Sequence, residues 1–238
     1  MFFILLKIDG RLNRKFNGLF NFILRMLYFV RTPKWLQRLF PGRLWEMDRS
    51  EKKIYLSFDD GPHPEHTAFV LDELKKYGAK AVFFCIGNNV RQYPEIYRRI
   101  IDEGHSVGNH TQNHLNSRKV SDSVYMKDVH EASKYIDSKL FRPPYGRLNR
   151  FRENLFKKNI PTYRLIMWTV LSGDFDPGLT KEQCLENVLL RSGNGSIIVF
   201  HDSEKAAEKM RYVLPKMLQS FYEKGFAFEK IKDIPPGK

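Results

Sequence analysis

Lys53-Ile-Tyr-Leu-Ser-Phe-Asp-Asp-Gly-Pro62 divides into two parts. Lys53–Phe58 is short, β-branched and aromatic, which predicts a strand. Asp59-Asp60-Gly61-Pro62 then stops the strand with two acids and a turn. Outward from this point the pattern repeats. Pro64–Tyr77 predicts a helix with Phe69, Val70, Leu71 and Leu74 inward and Gly78 ending it. Ala81–Ile86 is a continuous apolar run, as in a strand covered on both faces. Helices are expected at Pro94–Asp102, Ser121–Ser138, Asn149–Lys158, Thr180–Arg191 and Glu204–Lys224. Strands are expected at His105–Asn109, Leu140–Arg142, Tyr163–Val170, Ser196–Phe200 and Phe226–Glu229. Alternation of this kind means parallel strands with helices outside, hence an α/β fold. Polar chemistry recurs at the C-terminal ends of the strands, which is the active-site face of a β/α barrel. Fewer than 190 residues follow Lys52. An eight-fold barrel usually takes about 250, so a shortened or irregular barrel fits better. No G-x-G-x-x-G or G-x-x-x-x-G-K-[ST] follows a strand, which weighs against nucleotide-binding versions.

Five blocks can carry chemistry. In the first, the adjacent Asp59 and Asp60 repel unless a positive group lies between them or one is protonated. A divalent cation meets that need, although the pair also fits a cap on the following helix. The second, His110-Thr-Gln-Asn-His114, has two imidazoles at i, i+4 that could converge on one face of a helical turn. Alone it is a weak signal; with Asp60 it makes a set of two histidines and one carboxylate with open positions, a catalytic stoichiometry. The third, Phe141-Arg142-Pro143-Pro144-Tyr145-Gly146, is stiffened by two prolines and presents Arg142 and the Tyr145 N–H. That N–H could serve as an oxyanion donor. The fourth, Trp168 to Asp176, holds Asp174, an acid able to orient an arginine or histidine or merely to lie in a capping loop. In the fifth, Ile197-Ile-Val-Phe-His201-Asp202, a histidine closes an apolar strand and suits proton transfer or a buried hydrogen bond. His63 and His66 read as solvated neighbours outside the site.

Composition bounds the alternatives. The chain has 238 residues, is 42% hydrophobic and 28% charged, and has a globular make-up. Cys85 and Cys184 are too few for a disulfide framework and read as small buried hydrophobes. The net charge of +13 is uneven: residues 1–43 carry nine Lys and Arg against Asp9 alone. The basicity belongs to a terminus, so no nucleic-acid partner is expected. Phe16, Leu19, Phe20, Ile23, Leu24, Leu27 and Phe29 interleave with Lys15, Arg25 and Arg31. The segment is therefore amphipathic, fit for peripheral association with an anionic membrane or for packing on the domain. A start at Met26 is a third reading. Arg31–Pro41 predicts a short basic helix between prolines. No apolar run reaches the ~20 residues of a spanning helix, and no cleavable signal is evident. The expected location is cytoplasmic or peripheral at the inner membrane.

Together the five blocks resemble the polysaccharide deacetylase family with the NodB-homology domain, the carbohydrate esterase family 4 type. They occur in that family's order across roughly Ile54–Asp202. Phe58-Asp-Asp-Gly-Pro62 is the most specific, since a given five-residue string arises by chance in roughly one window per million. The resemblance implies an irregular seven-stranded β/α barrel over 47–238, behind a basic N-terminal extension at 1–46. It also implies a divalent metal, zinc foremost, with Co2+, Ni2+, Mn2+ or Fe2+ as alternatives. The implied activity is hydrolysis of acetyl groups from N-acetylated sugars in polysaccharide, oligosaccharide, peptidoglycan fragment or glycolipid. Asp59 resembles the catalytic base and His201 the general acid. Asp60, His110 and His114 resemble the metal ligands. Arg142 resembles the arginine that holds the base, Tyr145 the oxyanion donor and Asp174 the tuning acid. Phe175 stands where the family usually has Trp, and Val199 where it has Leu. Both would line the acetyl pocket, so its shape is open. Leu171 also stands where an acid is frequent. Alternative readings are a related barrel acting on a non-sugar amide or cyclic imide, and a catalytically degenerate carbohydrate-binding module. Oligomeric state is not legible.

Overall fold

In the computed structural model, residues 28–148, 150–160 and 162–232 are described. The predicted amphipathic stretch before Tyr28 lies outside them. The elements are α1 (Lys34–Leu39), β1 (Arg43–Leu44), β2 (Lys53–Asp59), α2 (His66–Lys76), β3 (Ala81–Cys85), α3 (Gly87–Gln92), α4 (Pro94–Asp102), β4 (Ser106–Asn109) and α5 (Asp122–Ala132). They continue with β5 (Leu140–Phe141), a 3-10 turn (Pro144–Gly146), α6 (Arg150–Asn159), β6 (Arg164–Ile166), β7 (Val170–Leu171), α7 (Lys181–Arg191), β8 (Ile197–His201), α8 (Ala207–Glu223) and β9 (Ala227–Phe228).

The strands pair in parallel in the order β1-β6-β5-β4-β3-β2-β8-β7, with β9 beside the start of β2. The result is a curled, incompletely closed β/α barrel. More strands are paired among the described residues than the seven expected, because two-residue strands at the rim count as members. The alternation along β2 sorts its side chains by face. Ile54, Leu56 and Phe58 pack outward on α2 and α8 residues such as Val70, Leu74, Met210 and Met217. Tyr55 packs inward with Val82, Phe84, Leu140, Ile166 and Ile197. A third cluster, with Tyr125, Phe141, Phe156 and Tyr163, seats α5 and α6. Cys85 and Cys184 are free and buried within the outward core.

Two elements within the barrel differ from expectation, and the strand β1 was not foreseen. Tyr163–Val170 is not one strand: β6 pairs with β5, whereas β7 pairs with β8 at the far end of the sheet. The chain breaks at Met167 because it crosses the barrel opening there. The helix α3 was not foreseen, since Gly87-Asn-Asn gives no apolar face. Elsewhere the local signals hold. Thr180 and Gln183 form a reciprocal capping box on α7, and Pro215 is accommodated inside α8.

Residues 28–46, within the stretch expected as an extension, bridge both ends of the open sheet. Arg31 pairs antiparallel with Val170, and Arg43–Leu44 run parallel to Leu165–Ile166. The predicted basic helix is present as α1 between Pro33 and Pro41. Arg43 is buried, 2.8 Å from Glu153 through Nε, and its guanidinium stacks 4.0 Å over Phe40. No helix among the described residues is long and apolar enough to cross a membrane.

Candidate active site

The register of the parallel sheet assembles the site. Asp59 at the end of β2 stands level with His201 at the end of β8. Asn109 at the end of β4 pairs with Phe141, which brings His110 beside Arg142. All the polar strand ends flagged in the sequence therefore meet at one rim.

Arg142 is the largest fully buried side chain among the described residues, with 0% exposure. Its Nη1 donates to Asp59 Oδ1 at 2.7 Å and to Ser57 Oγ at 2.8 Å. Its Nε and Nη2 donate to the carbonyls of Ile166 and Met167 at 3.1 and 2.9 Å. The break between β6 and β7 thus supplies the acceptors that fix this guanidinium. The Phe84 ring covers it at 4.1 Å. One oxygen of Asp59 is therefore clamped by a buried ion pair.

Asp60 adopts a left-handed backbone (φ 81°), and its carboxylate meets His110 and His114 where that of Asp59 meets Arg142. Its Oδ1 lies 3.2 Å from His114 Nε2 and 3.7 Å from His110 Nε2. That oxygen is buried and has no hydrogen-bond partner among the described residues. His110 Nδ1 lies 2.7 Å from the Arg142 carbonyl, so Nδ1 carries the proton and Nε2 presents a lone pair. Burial, with His114 adding to it, holds the His110 pKa down to about 3 against the pull of Asp60. A neutral imidazole, a second imidazole and an orphaned carboxylate oxygen converge, with ligand atoms within 4.8 Å of one another. These are the donors that a divalent cation takes.

The two histidines do not share a helical turn as expected. Residues 110–114 form a loop in which Thr111 (φ 68°) and His114 (φ 54°) are left-handed. The loop is fastened by Asp128 of α5, whose Oδ2 accepts from the amides of Gln112 (3.1 Å) and Asn113 (3.0 Å). Asn109 Oδ1 accepts from the Thr111 amide at 2.8 Å.

Opposite Asp59, His201 Nδ1 lies 2.8 Å from Asp174 Oδ1, and Asp174 Oδ2 accepts from the His201 amide at 2.7 Å. Burial disfavours the imidazolium, but the Asp174 carboxylate, with Asp60 and Asp59 behind it, outweighs burial and pushes the pKa up to about 9. His201 is therefore protonated at neutral pH, with 16% of its side chain exposed.

Tyr145 sits in the 3-10 turn with φ 61°, its ring exposed and 4.7 Å from that of His114. Among the described residues its N–H donates to no protein acceptor. Phe175 is half-buried and packs edge-on to His201 at 5.1 Å. Val199 lies on the same face of β8 as His201, one layer below, buried beside Ser57 and Leu171.

Sequence reasoning missed two anchors. Asp202 accepts from the Gly61 amide at 3.1 Å and from the Thr67 hydroxyl. Burial, helped by the nearby Asp60 and Asp59, pushes its pKa up to about 7. A Cβ at Gly61 would fall 2.2 Å from Asp202 Oδ2, so the turn after Asp60 needs glycine. The strand-end position of Asp202 was a usable signal; Asp128, in the middle of a polar helix, gave none.

His66, expected to be solvated, is buried, and His63 is half-buried. Their rings stack at 4.1 Å, and His66 Nε2 lies 2.8 Å from Glu204. This second His-His-Glu group also has ligand atoms within 4.8 Å. Its hydrogen bonds run the wrong way for a cation. His63 Nδ1 accepts from the amides of Glu65 and His66, and His66 Nδ1 accepts from Arg211. Both Nε2 atoms therefore carry protons.

A model of the polysaccharide deacetylase family matches residues 46–159. A peptidoglycan-N-acetylglucosamine deacetylase of Bacillus cereus is 32% identical over 199 residues, covering 80% of this chain and 91% of that protein. The chain belongs to the polysaccharide deacetylase family. Relatives that it matches are named as deacetylases of peptidoglycan amino sugars. The peptidoglycan-N-acetylmuramic acid deacetylase PdaC of Bacillus subtilis is 31% identical over 74% of this chain, which spans 38% of that longer protein. The crystal structure of a peptidoglycan N-acetylglucosamine deacetylase in complex with 4-naphthalen-1-yl-N-oxidanyl-benzamide superposes with a TM-score of 0.75. It is 28% identical, and the match covers 84% of this chain and 95% of that one.

Proposed function

We propose that the protein removes the acetyl group from N-acetylated amino sugars, using Asp59 as base and His201 as acid around a metal held by Asp60, His110 and His114. The observation that carries this reading is the orphaned Asp60 Oδ1 facing two imidazole nitrogens, with a clamped carboxylate and a protonated histidine level with each other beside it. The Asp/His/His donor set, without thiolates, suits zinc first among divalent ions. When bound, the cation supplies Lewis-acid polarisation of the amide carbonyl and acidifies water toward pKa ~7.

The chain's own groups do the rest. Arg142 fixes one oxygen of Asp59, leaving the other free to take a proton from the attacking water. The Tyr145 N–H donates to the carbonyl oxygen as negative charge develops there. As the C–N bond breaks, the imidazolium of His201 gives its Nε2 proton to the departing amine, and Asp174 holds the ring through Nδ1. The products are acetate and the free amino sugar. Phe175 and Val199 bound the acetyl end of the pocket. The catalytic domain is taken as 47–238, with residues 28–46 sealing the barrel opening.

The relatives named for peptidoglycan support an N-acetylglucosamine-type unit as substrate. The test is acetate release by zinc-loaded protein from chitooligosaccharides, peptidoglycan fragments, UDP-N-acetylglucosamine and acetylated xylan, with ring opening of a cyclic imide followed in parallel and metal-stripped protein as control. Acetate from an amino-sugar class, abolished on stripping, supports the reading. Turnover of the imide alone would replace the substrate class.

A further inference from the structure

The segment leading into the barrel exposes large apolar side chains in a basic setting. Phe29, Trp35 and Leu39 are 47%, 57% and 46% exposed. Trp35 and Leu39 stand at i, i+4 on α1, and the Phe29 ring meets Trp35 edge-on at 6.2 Å. Arg31, Lys34 and Arg38 are exposed between them. Within residues 28–43 there is no Asp or Glu to offset them. Lys34 touches Glu46, and Arg31 donates to the Arg191 carbonyl, yet neither contact covers the rings.

We propose that this face docks on an anionic lipid bilayer. Exposed tryptophan beside arginine and lysine is the chemistry of the membrane interface, where the ring sits at headgroup level and the cations meet lipid phosphate. Charge complementarity favours a bilayer over the chain's own remainder. Residues 1–27 carry Lys7, Arg11, Arg14, Lys15 and Arg25 against Asp9, so they share the sign of the face rather than complement it. Their apolar Phe16, Leu19, Phe20, Ile23 and Leu24 extend the same composition. The docking face also borders the reaction site. A cavity of about 410 Å3 is lined by Phe29 and Leu36 together with Trp168, Gly146 and Arg147. Gly146 adjoins Tyr145, so a sugar presented at a bilayer surface lies close to the site.

The test is flotation of the full chain with vesicles of phosphatidylcholine alone or containing phosphatidylglycerol, read together with tryptophan fluorescence. Trp45 is buried and Trp168 half-buried, so the part of a lipid-induced blue shift that Trp35→Ser abolishes reports on Trp35. The expected result is binding to the anionic vesicles only, reversed by high salt, with a blue shift. Trp35→Ser/Arg38→Glu should weaken binding at least about tenfold, with an unchanged melting temperature. The single variants serve should the double one fail to fold. Three results overturn the proposal: no binding of the full chain, undiminished binding by the variants, or a lipid-free dimer that the variants dissolve. Each is read without turnover and so stands apart from the catalytic reading.

Discussion

Among single residues, Arg142 and His201 carry opposite burdens. Arg142 has no exposure and satisfies Asp59, Ser57 and two carbonyls together. Arg142→Ala leaves a buried carboxylate without its partner, a loss of about 3–5 kcal/mol, measurable by urea denaturation. Arg142→Lys should recover little, because one ammonium cannot span the same acceptors. His201 binds its proton more tightly folded, near pH 9, than unfolded, near 6.5. Its contribution to stability is complete below about pH 6.5 and is lost as pH rises through 9, about 3 kcal/mol in all. In metal-free protein, denaturation midpoints should therefore fall between pH 6.5 and 9, and His201→Gln should flatten that slope. The residues themselves were legible where a motif carries them, as with Asp59 and Asp60 ahead of Gly-Pro. Asp128 was not, because its role is to accept amides from a loop 15 residues upstream that only folding brings near.

Among the elements, the loop 110–114 combines two left-handed residues with two of the proposed metal ligands. Its left-handed residues have no helical ladder, so Asp128 and Asn109 supply the restraints. Asp128→Ala should lower zinc affinity by about 10–100-fold, read by competition with a chelating dye, while the far-UV spectrum stays native. The spacing of His110 and His114 predicted their convergence and mistook its cause, since i, i+4 is close in a helix but also closable by a tight loop. The split of Tyr163–Val170 escaped for a related reason. Apolar periodicity records burial, and both halves are buried, but it does not record that the chain crosses the barrel opening between them, where Arg142 meets the Ile166 and Met167 carbonyls.

Across the molecule as a whole, residues 28–46 close what the parallel sheet leaves open. They pair with β7 at one end and β6 at the other, and Arg43 is buried on Glu153. A chain starting at residue 47 should melt about 10 °C below one starting at 28. Loss of Arg43 leaves Glu153 with only Lys157, and a few kcal/mol shifts the melting point of a domain this size by that order. Strand and helix alternation made the α/β barrel legible because each β/α unit is local. Closure was not, since a two-residue strand such as Arg43–Leu44 has no periodicity to read.

The proposed chemistry turns on Asp59 acting as base beside a metal it does not hold. Acetate release by Asp59→Asn protein, measured on samples whose zinc content is determined in parallel, is the decisive measurement. Asp59→Asn should retain one zinc per chain and lose at least about a hundredfold in turnover. Wild-type turnover in the zinc-bound variant, or loss of its zinc, would refute that role.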